Sequence, residues 1–154
     1  MAIIAGAIII GGVILLNYNL DQAKISGQSF GDSLSQIQND LKNETANYDA
    51  KIGLYQNGNI TKQDMLQISD THIAVLSEML SKYNKIKPPE PFAPSLELFR
   101  LSTQAQLDSD KLLKQWIQTG DNSTKIRSDQ LLGQSFDYET RALYSFNKAK
   151  TNSE

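Results

Sequence analysis

The chemistry open to this sequence turns on one histidine, His72, and on carboxylates and lysines, because the chain of 154 residues contains no cysteine. That composition excludes thiolate catalysis, disulfide staples and any zinc, iron or copper site built mainly from imidazole and sulfur. A dimetal carboxylate bundle needs Glu-x-x-His motifs facing inward from its helices, and Ser69 stands three residues before His72. Asp70 lies two residues from His72 and points to another side of a helix, so it is not an orienting partner for the ring. Serine is too common here for a Ser-His-Asp assembly to be read from distant residues. His72 therefore reads as a satisfied histidine at the border of an apolar stripe.

Glu44, Glu78, Glu97 and Glu139 are the carboxylates one would test for acid or base work, but no apolar flank forces any of them into a perturbed setting. They read as solvated helix surface. Asp108 and Asp110, near Lys111 and Lys114, read as ordinary helix-face charge patterning. Lys82, Lys85 and Lys87 form a small basic cluster at a helix end. There is no phosphate-binding loop of the Walker type and no dinucleotide glycine fingerprint, and Gly11-Gly12 sits in an apolar run where it cannot cradle phosphate. No residue of the sequence is expected to be catalytic, cofactor-binding or metal-binding, and the protein is not expected to be an enzyme. Fifteen Lys and Arg against seventeen Asp and Glu give a net charge of -2, which supplies no field to draw in nucleic acid.

Four helical segments must position these groups. Phe30, Leu34, Ile37, Leu41, Tyr48 and Ile52 recur at helical spacing with one seven-residue gap, which predicts a helix over 32–55. Gln56-Asn57-Gly58-Asn59 forms a turn. Thr61 and Asp64 make a capping box for a helix over 62–85, whose stripe is Met65, Ile68, His72, Leu76, Met79, Leu80 and Tyr83. The Pro88–Pro94 stretch is a stiff connection. Ser95 is expected to cap a third helix, 95–119, with Leu98, Leu101, Ala105, Leu112 and Trp116 inward beside Leu113 and Ile117, and Gly120 is its stop. A fourth, 123–149, presents Leu131, Leu132, Phe136, Leu143 and Phe146, and 151–154 is a disordered tail. The expected fold is all-α, an N-terminal transmembrane helix followed by an up-down-up-down four-helix bundle over 32–150.

The N-terminus supplies the strongest single signal. Every residue from Ala2 to Leu16 is apolar or Gly, and with Tyr18 and Leu20 the stretch reaches the length of a bilayer-spanning helix, about 30 Å. A removed signal peptide competes with this reading, but no Lys or Arg precedes the run, and Asn17-Tyr18-Asn19 makes a poor cleavage site. Residues 1–20 are thus expected to be a transmembrane anchor. A hinge is expected over 21–31, because Gly27 and Gly31 beside Ser26 and Ser29 weaken a helix there by about 1 kcal/mol per Gly. Three Asn-x-Ser/Thr sequons, beginning at Asn43, Asn59 and Asn122, are compatible with an extracytoplasmic bundle on a single-pass membrane protein.

Two stretches carry a resemblance: Lys87-Pro88-Pro89-Glu90-Pro91-Phe92 followed by Leu96-Glu97-Leu98-Phe99-Arg100-Leu101-Ser102, and Gly120-Asp121-Asn122-Ser123 before Ile126-Arg127-Ser128-Asp129. Over roughly residues 60–145 the layout resembles small membrane-anchored helical proteins of ammonia-oxidising archaea. The resemblance implies an accessory subunit of a membrane ammonia monooxygenase, giving assembly or stability while other chains hold copper. The leading expectation is a non-catalytic accessory or interaction subunit of a larger membrane protein complex, held in the bilayer by residues 2–20. Such a subunit should have an exposed apolar patch next to the anchor, and a smooth polar bundle surface would count against it. The alternatives are an extracytoplasmic ligand-binding or sensory bundle and a pilin-like filament subunit.

Overall fold

The computed structural model describes residues 23–151. Four helices account for most of them: α1 Ala23–Gln56, α2 Lys62–Tyr83, α3 Ala93–Thr119 and α4 Asn122–Thr151, with no strand among the described residues. Successive helices run antiparallel. Glu44 meets His72 and Gln38 meets Tyr83 between α1 and α2, Tyr83 meets Thr103 between α2 and α3, and Ser102 meets Ser135 between α3 and α4. The expected transmembrane segment lies outside the described residues, and no described helix is long and apolar enough to cross a membrane.

Local chemistry sets most of the helix ends. The Asp64 N–H donates to Thr61 Oγ1 at 3.1 Å while the Thr61 N–H donates to Asp64 Oδ2 at 3.2 Å, completing the reciprocal capping box. Gly58 and Gly120 take φ of 74° and 73°, the left-handed conformation that a side chain disfavours, and close the turns after α1 and α3. Asp121 caps α4, accepting from the Ser123 N–H at 2.9 Å. The proline-rich connection contains a 3-10 turn, Glu90–Phe92, and α3 starts directly after it at Ala93. Ser95 is therefore not the cap: it lies inside the first turn, where its Oγ donates to the Phe92 carbonyl at 2.7 Å.

The hinge expected over 21–31 is absent from 23–31, because α1 passes through Gly27 and Gly31 unbroken. The reason lies in tertiary burial. Phe30 is 3% exposed, its ring 5.6 Å from Phe92 and 6.5 Å from Phe146, which are themselves 5.0 Å apart. Burying a phenylalanine contributes about 2–3 kcal/mol, which outweighs the propensity deficit of Gly31 beside it.

The inward faces of α3 and α4 keep part of the expected stripes, since Ala105, Leu113, Ile117 and Phe146 are buried, and depart from the rest. Leu98, Leu101, Leu112, Trp116, Leu131, Leu132, Phe136 and Leu143 are only half-buried. Their places at the α3–α4 contact are taken by small residues: Ser95, Ser102 and Ser109 on α3, and Ser128, Ser135 and Ala142 on α4, all buried. Ser102 Oγ donates to the Ser135 carbonyl and Ser135 Oγ to the Ser102 carbonyl, each at 2.9 Å. Ser109 and Ser128 repeat the exchange one heptad away, at 2.8 and 3.0 Å. Small side chains let the two backbones approach closely, and the paired hydroxyls satisfy the polar atoms thus buried.

Candidate functional site

The densest polar chemistry lies at the middle of the bundle, around His72. Its position on α2, between Met65 and Leu76 on the buried stripe, leaves the residue 1% exposed. Nδ1 lies 2.8 Å from Glu44 Oε1 on α1, and Nε2 lies 3.1 Å from Asp110 Oδ2 on α3. Tyr48 stacks on the ring with centroids 3.9 Å apart and planes within 6° of parallel, and its hydroxyl lies 2.9 Å from Ser69 Oγ. One turn away, Gln106 Nε2 donates to Thr45 Oγ1 at 2.7 Å. Three helices are thus joined through one imidazole.

Charge explains the arrangement. Burial pushes the imidazole toward its neutral form, but the hydrogen bonds and charges of Asp110 and Glu44 outweigh it, so the His72 pKa is raised. Burial raises the Asp110 carboxyl, against the opposing pull of His72. Asp49 beside them is pushed up to about 6, by burial first and then by the charge of Asp110. Protonated His72 can donate from both ring nitrogens to the two carboxylates that flank it.

This geometry argues for a clamp. Both ring nitrogens are engaged and one ring face is covered, so a substrate would have to displace a carboxylate to reach the imidazole. The two nitrogens point to opposite sides of the ring, so the carboxylates they bind do not converge on one point. No group of three or more His, Asp or Glu among the described residues could hold a metal ion.

The linkage has a definite sign. Asp49, His72 and Asp110 bind protons more tightly in the folded state than their ordinary pKa values allow, so folding is favoured at low pH and loses that support as pH rises. Asp49 loses its share as pH rises from about 4 to about 6, roughly 1–2 kcal/mol after solvent screening. His72 loses its share from its ordinary pKa upward. The denaturation midpoint should therefore be higher at pH 5 than at pH 8. A midpoint that rises over that interval would show that His72 is neutral in the fold.

The remaining candidates fall in different settings. Glu78 is exposed and lies 3.8 Å from Lys82, and Glu97 is held by Arg100 at 2.6 Å. Asp70 turns away from His72 and pairs with Lys114 across to α3, and Asp108 pairs with Lys111 at 3.1 Å. Three readings as solvated surface need correction: Glu44 and Asp110 form the clamp, and Glu139 has a buried Oε1 with no hydrogen-bond partner among the described residues, its carboxyl raised by burial. The gap in the α1 stripe between Leu41 and Tyr48 and the interruption of Leu107, Leu113 and Ile117 by Asp110 were the available signals. Each acidic residue occupies an otherwise apolar helix face.

A second feature is a surface groove of about 600 Å³ between the start of α1 and the end of α2. Phe30, Ile37 and Ile86 line its apolar part, and Lys82, Lys85 and Lys87 its basic part. Comparison of the chain with protein-family models, with curated proteins and with solved structures finds no match.

Proposed function

We propose that the protein is a membrane-anchored, non-catalytic accessory subunit of a larger membrane protein complex. The observation that carries this reading is the apolar run Ala2–Leu16, followed within a few residues by the start of α1 at Ala23. The anchor holds the bundle close to the bilayer, with the start of α1, the end of α2 and the end of α4 at the near side. Engagement of His72 on both nitrogens supports a structural role for the one imidazole. Tyr144 on α4 is 71% exposed, and an amphipathic aromatic left in solvent favours a protein contact on that face. The resemblance to small helical proteins of ammonia-oxidising archaea suggests a copper monooxygenase as the complex served.

Mild-detergent extraction of the native membrane, followed by native sizing and mass spectrometry, tests the proposal. The intact chain should co-migrate stoichiometrically with a larger membrane enzyme. Migration as a lone monomer would overturn the accessory reading and favour a tethered ligand-binding bundle, for which the groove beside α1 is the relevant feature.

A further inference from the structure

We propose that the groove between α1 and the end of α2 binds the anionic headgroup of a membrane lipid, an inference that rests on the membrane-anchored reading above. Lys85 and Lys87 are exposed and have no ion-pair partner among the described residues. Lys82 differs, lying 3.9 Å from Asp40 and 3.8 Å from Glu78. Two unpaired ammonium groups beside a third make a place where an anion is favoured. Ile86, half-buried, adds an apolar surface to the same groove over a floor formed by the buried Phe30 and Ile37, and Asp40, near Lys82, is the one carboxylate among the residues that line it. That combination matches a lipid, whose charged phosphate sits next to methylenes, better than it matches free phosphate.

Position strengthens the argument. From Ala23 to Ser29, the first groove residue on α1, the helix rises about 9 Å. Asp21 and Gln22 can add at most about 10 Å. The groove therefore begins within roughly 20 Å of Leu20, the last apolar residue of the anchor. A lysine near an anionic bilayer surface contributes about 1 kcal/mol, which is roughly a fivefold change in occupancy.

The test uses the full chain in vesicles of neutral phosphatidylcholine, with and without an anionic phosphatidylglycerol fraction, and follows the acetylation rate of each lysine by mass spectrometry. Acetylation of Lys85 and Lys87 should slow roughly fivefold in the anionic vesicles, with Lys111, on the half of the bundle away from the anchor, unchanged. Equal rates in both vesicles would overturn the inference. So would equal slowing at Lys148, which lies at the same end but outside the groove and would report a general surface contact. Slowing by inorganic phosphate in neutral vesicles would replace the lipid by a free anion. Alkali-resistant flotation is scored in parallel: a chain that does not float removes the anchored reading itself, whereas one that floats without protection of the lysines removes only the lipid.

Discussion

Replacing His72 by leucine should lower the stability of the bundle by about 3–5 kcal/mol, or roughly 10–15 °C in Tm for a domain of this size. The loss arises from what remains. Asp110 is 7% exposed, and its one side-chain hydrogen bond across helices among the described residues is to the imidazole. Without that partner it must be protonated or carry an unpaired charge in the core, and Glu44 loses its partner too. The stacked contact with Tyr48 also goes. Thermal unfolding followed by circular dichroism measures the change, and the deficit should shrink toward pH 5, where Asp110 is easier to protonate. The double variant His72→Leu/Asp110→Leu should recover much of the loss, because replacing a buried charged pair by apolar side chains is often close to neutral. An unchanged Tm in His72→Leu would show that the imidazole is not the counter-charge of Asp110.

Helices α1 and α2 were legible because their inward residues are mostly large and apolar at helical spacing. Phe30, Leu34, Ile37, Leu41 and Tyr48 on α1, and Met65, Leu76, Met79 and Tyr83 on α2, are all buried. The capping box at Thr61 and the glycine stops were legible for the same reason: each is a local device whose effect needs no distant partner. The faces of α3 and α4 were legible only in part: Ala105, Leu113, Ile117 and Phe146 are buried as their spacing predicts, but hydrophobicity alone locates a core only where the core is apolar. Along the middle of the α3–α4 contact it is a row of serine and alanine, and Leu131 and Leu132 yield the inward place to Ser128 and Ser135. The signal was a seven-residue recurrence of small residues, Ser128, Ser135, Ala142 and Ala149, set against Ser95, Ser102 and Ser109.

The clamp failed to show for a different physical reason. Charged residues read as exposed because isolated burial costs several kcal/mol, and the partners that offset it lie 28 and 38 positions from His72 in the chain. Only the tertiary fold brings Glu44 and Asp110 to opposite sides of one ring. A lone histidine within an apolar stripe must find polar partners, and the acidic residues interrupting the neighbouring stripes were those able to meet it.

The small-residue contact makes the second large prediction. Ser135→Leu should destabilise the bundle by about 2–4 kcal/mol, measured as a shift of the chemical denaturation midpoint. Ser135 is 5% exposed, and its hydroxyl sits 3.1 Å from that of Ser102 while each donates to the other residue's carbonyl. A leucine there brings two more heavy atoms than serine, and a branch, to a contact built for two hydroxyls, and overpacking of this kind costs about 1–3 kcal/mol before the lost hydrogen bond is counted. Relief by moving α4 outward would loosen the Ser109–Ser128 exchange on the same face, so the strain cannot relax at one layer alone. Ser135→Ala supplies the contrast, since Ala142 already fills the next position of the row while 0% exposed. It should cost about 1 kcal/mol, the net value of a hydrogen bond. Equal effects of alanine and leucine would mean that the hydroxyls, and not the closeness of the two backbones, hold α3 against α4.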